Sequence, residues 1–232
     1  MLNKLKMTAL AAAFAGACVS VQANTIQIGT GLSANGALLG TGAADPNYAV
    51  TIGLSLPPTT PTSGVVYDAT MYPLVSGPWV PNQPNGQWIT PVDPSSGVPL
   101  LENGLYTDYS RVLDVTGSSG DLSGEFSTDN PGALYVNGVL VAQTAGWPSL
   151  NDTQDYTRFV DFNATLVAGD NTIAFVVYNV PLALPLGSSS SGNPTGLIVD
   201  GTATGVPDGG MTAALLGAGL LGLGALRRKL GC

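Results

Sequence analysis

In 232 residues the chain carries fifteen acidic side chains, seven basic ones and no histidine, for a net charge of −8. The missing histidine excludes Ser-His-Asp and Cys-His nucleophile systems, histidine general bases and zinc sites with histidine ligands. The two cysteines, Cys18 and Cys232, fall in terminal segments, so the region between them has no thiolate catalysis, iron–sulfur ligation or internal disulfide.

The first 23 residues carry Lys4 and Lys6, then the apolar run Ala9 to Val19, then the small-residue stretch Val21-Gln22-Ala23. This order predicts a secretory signal peptide over residues 1–23, cut after Ala23. Lipidation at Cys18 is the competing reading, but Ala15 stands where a lipoprotein signal usually has Leu. Between Asn24 and Gly210 the cations are Arg111 and Arg158, set against all fifteen acids, a net charge of −13. A surface so acidic repels nucleic acid and anionic lipid and favours capture of divalent cations, so no DNA or RNA partner is expected. At about 187 residues this region can bury a core without a disulfide.

Gly and Pro interrupt this region every few residues, short β-branched or aromatic runs lie between them, and no sustained 3.6-residue period occurs. An all-β sandwich is expected over residues 24–205. Up to about residue 104 it reads as Pro-rich and largely irregular, with strands at Tyr48 to Leu54 and Gly64 to Tyr67, and Leu56 to Thr62 and Pro73 to Pro99 as irregular connections. From Leu105 to Val115, apolar Leu105, Tyr109, Leu113 and Val115 alternate with Asp108, Ser110 and Asp114, as in a strand with one wet face. Ala133 to Val136 and Val139 to Ala142 flank Asn137-Gly138, a strong hairpin signal because a type I′ turn needs positive φ at both central residues. Tyr156, Val160, Phe162, Ala164 and Leu166 alternate with polar residues, Gly169-Asp170-Asn171 reads as a turn, and Ile173 to Tyr178, apolar on both faces, reads as a central strand. Thr195 to Asp200 supplies a last strand.

Sugar rings have apolar faces and hydroxyl edges, so a glycan site combines aromatic rings with Asn, Asp or Arg in loops. Trp79, Trp88 and Trp147 lie in Pro- or Gly-rich contexts, and Asn151, Asp152, Asp155 and Arg158 follow Trp147. Trp147, Asn151 and Asp155 are therefore candidate glycan contacts, while a Trp beside Pro also fits a loop plug packed on the core. Arg158 falls on the apolar-alternating side of its run, where it is either at the rim of the sandwich or paired with a buried acid. With histidine and thiolate chemistry excluded and no Gly-rich phosphate loop followed by Lys in the sequence, hydrolysis by paired carboxylates is the remaining enzymatic mechanism. The sequence pairs no two acids for it, and no catalytic residue is assigned.

At the C-terminus Val206-Pro207-Asp208-Gly209-Gly210 is followed by sixteen uncharged residues, Met211 to Leu226, and then by Arg227, Arg228 and Lys229. As a helix the span rises about 24 Å, short of the roughly 30 Å apolar core of a bilayer, so a single short transmembrane helix of transient use is expected. The three cations would hold its end on the cytoplasmic side. These residues resemble the PEP-CTERM family of bacterial sorting signals, in particular its VPDSG variant. Gly209 stands where the variant usually has Ser, and Asp208 where the wider family has Glu. The resemblance implies that residues 206–232 are a processing signal read by an exosortase-like membrane protease, and that the protein passes through the inner membrane to the cell envelope, surface or exopolysaccharide matrix.

A second resemblance rests on Ala133-Leu-Tyr-Val-Asn-Gly-Val139, on Ala168-Gly-Asp-Asn-Thr-Ile-Ala-Phe-Val-Val-Tyr-Asn179, on Phe126-Ser-Thr-Asp-Asn130 and on Asn193-Pro-Thr-Gly-Leu-Ile-Val199. These stretches are similar to the closing half of galactose-binding-like jelly rolls. That likeness implies a jelly-roll sandwich and brings in a structural calcium ion, for which Asp121, Glu125 and Asp129, with Asn130, are the candidate ligands, although they lack the fixed spacing of an EF-hand loop. A solvated acidic turn is the alternative. Three functions remain: a structural or adhesive surface protein without enzymatic activity, a carbohydrate-binding module, and a glycan-active enzyme.

Overall fold

The computed structural model describes residues 25–53, 60–66, 79–91, 104–151, 154–181 and 195–206. In chain order they form β1 (Thr25–Gln27), β2 (Ala44–Gly53), β3 (Thr60–Val66), β4 (Ile89–Thr90), β5 (Tyr106–Asp129), β6 (Gly132–Val136), β7 (Val139–Gln143), a 3-10 turn (Asp155–Thr157), β8 (Val160–Tyr178) and β9 (Gly196–Val206). The fold is all-β, as the punctuated sequence predicts. The expected signal peptide over residues 1–23, the motif residues Pro207 to Gly210, the C-terminal apolar span and Arg227, Arg228 and Lys229 lie outside the described residues.

β5 and β8 organise the sheet. They pair antiparallel from Tyr106↔Tyr178 to Phe126↔Val160, with a register slip between Val115↔Gly169 and Ser119↔Val167. Before the slip the other edge of β5 pairs with β2, from Tyr106 to Ser110; after it, β5 pairs with β9, from Ser119 to Asp129. β8 pairs with β6 over Ile173–Val177. The two long strands thus pass through both layers of a sandwich. The front layer holds β7, β6, β2 and β3, the back layer holds β9 and β1, and β4 links β3 to β9 so that β2, β3, β4, β9 and β5 close a ring.

At the slip the sequence signal and the structure diverge. Gly169-Asp170-Asn171, which reads as a turn, lies within β8. Gly169 takes φ 83, and the Asn171 amide accepts the Val167 N–H at 3.0 Å and donates to the carbonyls of Val167 at 2.8 Å and Gly169 at 2.9 Å. The Asn side chain satisfies backbone groups at the irregularity, so one long strand bulges where two shorter ones were expected.

The inner faces interdigitate through aromatic rings. Phe126 of the back layer lies 5.3 Å from Phe175 of the front and 6.2 Å from Phe162, and Tyr48 on β2 lies 6.3 Å from Phe175. Leu122, Leu134, Leu166, Ile173, Val177 and Val199 fill the space around them, fully buried. Each such side chain contributes on the order of 1.5–3 kcal/mol. The Phe162 ring has room because glycines face it: a Cβ at Gly124 would stand 2.9 Å from its Cζ and 2.3 Å from the Asp200 carbonyl oxygen, and one at Gly201 3.1 Å from the same Cζ.

Other elements depart from expectation in extent. The strand expected from Leu105 to Val115 continues to Asp129 through Gly- and Ser-rich sequence, because β8 and β9 flank it and Leu122 and Phe126 anchor it in the core. Thr60, Pro61 and Thr62, expected in an irregular connection, belong to β3, where Pro61 pairs with Thr51. β4 meets β3 at Val65 and Val66, leaving Pro61 on an open edge, a position that tolerates the missing N–H. The Asn137-Gly138 hairpin forms as predicted, with φ 51 and 79.

Candidate functional site

On the back layer, the outward side chains form a polar carpet. Glu125 of β5 is paired with Asp161 of β8 on one side and Asp200 of β9 on the other; the next rungs are Asn163, Ser123 and Thr202, then Thr165, Asp121 and Thr204. Partial burial first, then the Asp200 and Asp161 charges, raise the Glu125 carboxyl above its ordinary range. The expected calcium ligands do not converge here. Asp121, Glu125 and Asp129 sit at four-residue intervals along one extended strand, roughly 13 Å apart at each step. Asp121 is exposed, whereas Asp129 is 3% exposed and accepts the Trp79 indole N–H at 2.8 Å. Among the described residues no group of three Asp, Glu, Cys or His is arranged to hold a metal ion.

Trp79 and Trp88 stack at 4.2 Å between ring centres, and Ile198 packs with them. Trp88 is fully buried and donates its indole N–H to the Val80 carbonyl at 2.8 Å. Both rings are plugs that hold residues 79–91 against the back layer; apart from β4 this part of the Pro73 to Pro99 stretch is irregular, as expected, and residues 73–78 and 92–99 lie outside the described residues.

The front layer presents different chemistry. Tyr106 and Tyr178 face each other across β5 and β8, both half-buried, with ring centres 4.8 Å apart. Trp147 meets Tyr106 edge-on at 6.4 Å and packs on Ala133 and Val176, with Tyr135 and Leu150 at the margin. Asp108 follows Tyr106 on the same outward side of β5, opposite Val176. Burial pushes its carboxyl up to about 6, and its Oδ1 is covered and has no hydrogen-bond partner among the described residues. Burial, and then Tyr178, also raise the Tyr106 hydroxyl.

Trp147 is brought to this face by the turn after β7. The Thr144 N–H donates to the Gly132 carbonyl at 2.9 Å, the Gly132 N–H donates back to the Thr144 hydroxyl at 2.9 Å, and Gln143 Nε2 reaches the Trp147 carbonyl at 3.3 Å. Asp155 ties the turn down: its Oδ2 accepts the Gly146 N–H at 3.2 Å, and its backbone carbonyl accepts the Ser127 hydroxyl at 3.0 Å.

Of the three predicted glycan contacts, Trp147 is 7% exposed and supports the two tyrosines from beside them, Asp155 is 1% exposed and acts as a positioning residue, and Asn151 stands exposed on the turn, its N–H donating to Gly146. Arg158 is not on a strand face; it is exposed in the bend between the 3-10 turn and β8. Tyr106 and Tyr178 escaped sequence reading as a pair, since 72 residues separate them and a register creates their contact.

No curated protein matches this chain. Among solved structures it resembles, at TM-score 0.24 and 11% identity, the CBM36-1 domain of a multidomain xylanase from the hindgut metagenome of Trinervitermes trinervoides, covering 44% of this chain and 77% of that one. A family 35 carbohydrate binding module from Clostridium thermocellum gives TM-score 0.25 at 14% identity, over 67% of this chain and 86% of that one. A GH2 β-galacturonidase from Eisenbergiella tayi gives 0.36 at 11% identity, over 77% of this chain but 24% of the glycosidase. Where β9 ends, the residues carry a more specific signal. Residues 205–230 match the VPDSG-CTERM motif, which identifies the segment leaving β9 as a motif of that kind.

Proposed function

We propose that the protein is an exported component of a bacterial cell envelope, processed through its C-terminal motif by an exosortase-like membrane protease, and that its sandwich docks on polysaccharide without catalysis. The motif match supports the sorting half of this reading. The observation that carries the docking half is the Tyr106–Tyr178 pair, backed by Trp147, with Asp108 beside it. Partly exposed tyrosine rings offer an apolar surface to a pyranose face together with hydroxyl edges, and a carboxylate accepts sugar hydroxyls. A glycan array probed with the full chain in mild detergent tests it: binding to at least one polysaccharide is expected, lost in Tyr106→Ala and kept in Asp161→Asn.

The sorting half has its own test. Pro207-Asp208→Ala-Ala should leave a full-length protein in the inner membrane, and replacing Arg227, Arg228 and Lys229 should let the chain slip through uncut. If the Ala-Ala variant reaches the surface with the wild-type C-terminus, the segment serves as a plain anchor.

A glycan-active enzyme is the second reading, and the Asp200–Glu125–Asp161 rung is what favours it, since two adjacent carboxylates are the minimum for glycoside hydrolysis. Turnover of a polysaccharide that disappears in Glu125→Gln would establish it.

A further inference from the structure

The charge pattern around the aromatic face selects among glycans. Asp108 is the charged side chain that β5, β6 and β8 place beside Tyr106, Tyr178 and Tyr135. Among the described residues neither arginine is placed beside it. Arg111 donates Nη1 to the Gln27 carbonyl at 3.0 Å and holds its guanidinium 5.9 Å from the Tyr48 ring centre, while Arg158 lies in the bend before β8. Between Ala23 and Arg227 the sequence contains no other Lys or Arg. A uronate or sulfate brought against the tyrosines would meet Asp108 with no counter-charge, in a partly desolvated setting where like charges repel most. A neutral sugar brings no such charge, and Asp108, half-buried with its Oδ1 covered, presents the remainder of its carboxylate to the sugar's hydroxyls.

We propose that the aromatic face takes uncharged, hydroxyl-rich polysaccharide and excludes uronate-bearing and sulfated chains, with Asp108 as the group that discriminates. This rests on the docking reading above and adds a ligand class to it.

The test is affinity electrophoresis of the full chain in detergent at low salt, through gels containing xylan, a mixed-linkage β-glucan, galactomannan, alginate or polygalacturonate, with anionic phospholipid vesicles as a separate arm. Retardation by at least one neutral polymer is expected, with none by alginate, polygalacturonate or vesicles. Asp108→Asn should weaken the neutral interaction about tenfold and narrow the gap between neutral and uronate polymers. Tyr106→Phe, which keeps the ring, should retain the neutral interaction if Tyr106→Ala loses it, separating ring loss from misfolding. Equal retardation of the wild type by uronate and neutral polymers overturns the selectivity and leaves the docking reading standing. Retardation by no polysaccharide, or by vesicles alone, overturns both. Unchanged discrimination in a folded Asp108→Asn variant removes Asp108 from the role.

Discussion

The two outer faces of the sandwich are built on the same pair of long strands and differ in what covers them. On the front, the turn after β7 lays Trp147 over the sheet, and two tyrosines beside it are half-buried. On the back, beyond the Trp79–Trp88 plug, the rungs of Asp, Glu, Asn, Ser and Thr are left to water. One face has apolar ring surface to offer and few hydrogen-bond partners already used; the other has polar groups that water satisfies as well as any ligand would. Burial of apolar area drives association, whereas exposed charges contribute little, so a binding surface is expected on the front.

That contrast breaks most readily at Trp147. Trp147→Ala removes the largest side chain of the front-face cluster and should cost about 3–5 kcal/mol in denaturant unfolding, while Asp161→Asn on the back should stay within about 0.5 kcal/mol. A near-neutral Trp147→Ala would show that the turn is not packed as described. Next in size, Tyr106→Ala should abolish polysaccharide binding while costing less stability than Trp147→Ala, because the Tyr106 ring is partly exposed and Trp147 is buried.

The third effect is on pH. Burial raises the Asp108 carboxyl from 3.8 to about 6. The folded state therefore holds this proton more tightly than the unfolded state, and the Asp108 contribution favours folding at low pH and is lost as pH rises from 3.8 to about 6. Asp108→Asn should flatten that part of the stability curve and be the more stable protein at pH 7; an unchanged slope would place the carboxyl in full solvent. The smallest effect belongs to the back face. Glu125→Gln relieves repulsion from Asp161 and Asp200 and should stabilise by a few tenths of a kcal/mol, fading as salt is added.

How far these faces could be read in advance depended on the range of the interactions. The Asn137-Gly138 hairpin was legible because its turn chemistry is contained in two residues. Gly169-Asp170-Asn171 carries the same kind of chemistry and was misread, since a positive-φ Gly beside an Asn side chain serves a bulge inside a strand as well as it serves a turn. The Gly- and Ser-rich stretch before Asp129 has poor strand propensity and is extended by its neighbours on both sides. The Tyr106–Tyr178 pair needs the register of two strands 72 residues apart, which composition does not encode. The candidate calcium ligands Asp121, Glu125 and Asp129 stand apart for a geometric reason: closeness in sequence along an extended strand is distance in space.

β9 leaves the sheet at Val206, paired there with Ser119, and β1 begins at Thr25, paired with Thr204. Both described termini therefore emerge beside the bulge, while the aromatic pair sits where β5 starts and β8 ends. Gly205 and Val206 belong at once to β9 and to the matched motif. A pull on the C-terminal segment would load β9 along its own axis, in shear, with the ladder bonds to β5 and β1 lying across the force and sharing it. Unzipping, in which bonds break one after another, requires force at right angles to the strand. If the motif holds the domain as proposed, a load along β9 is borne in shear by its ladders to β5 and β1 together, not bond by bond.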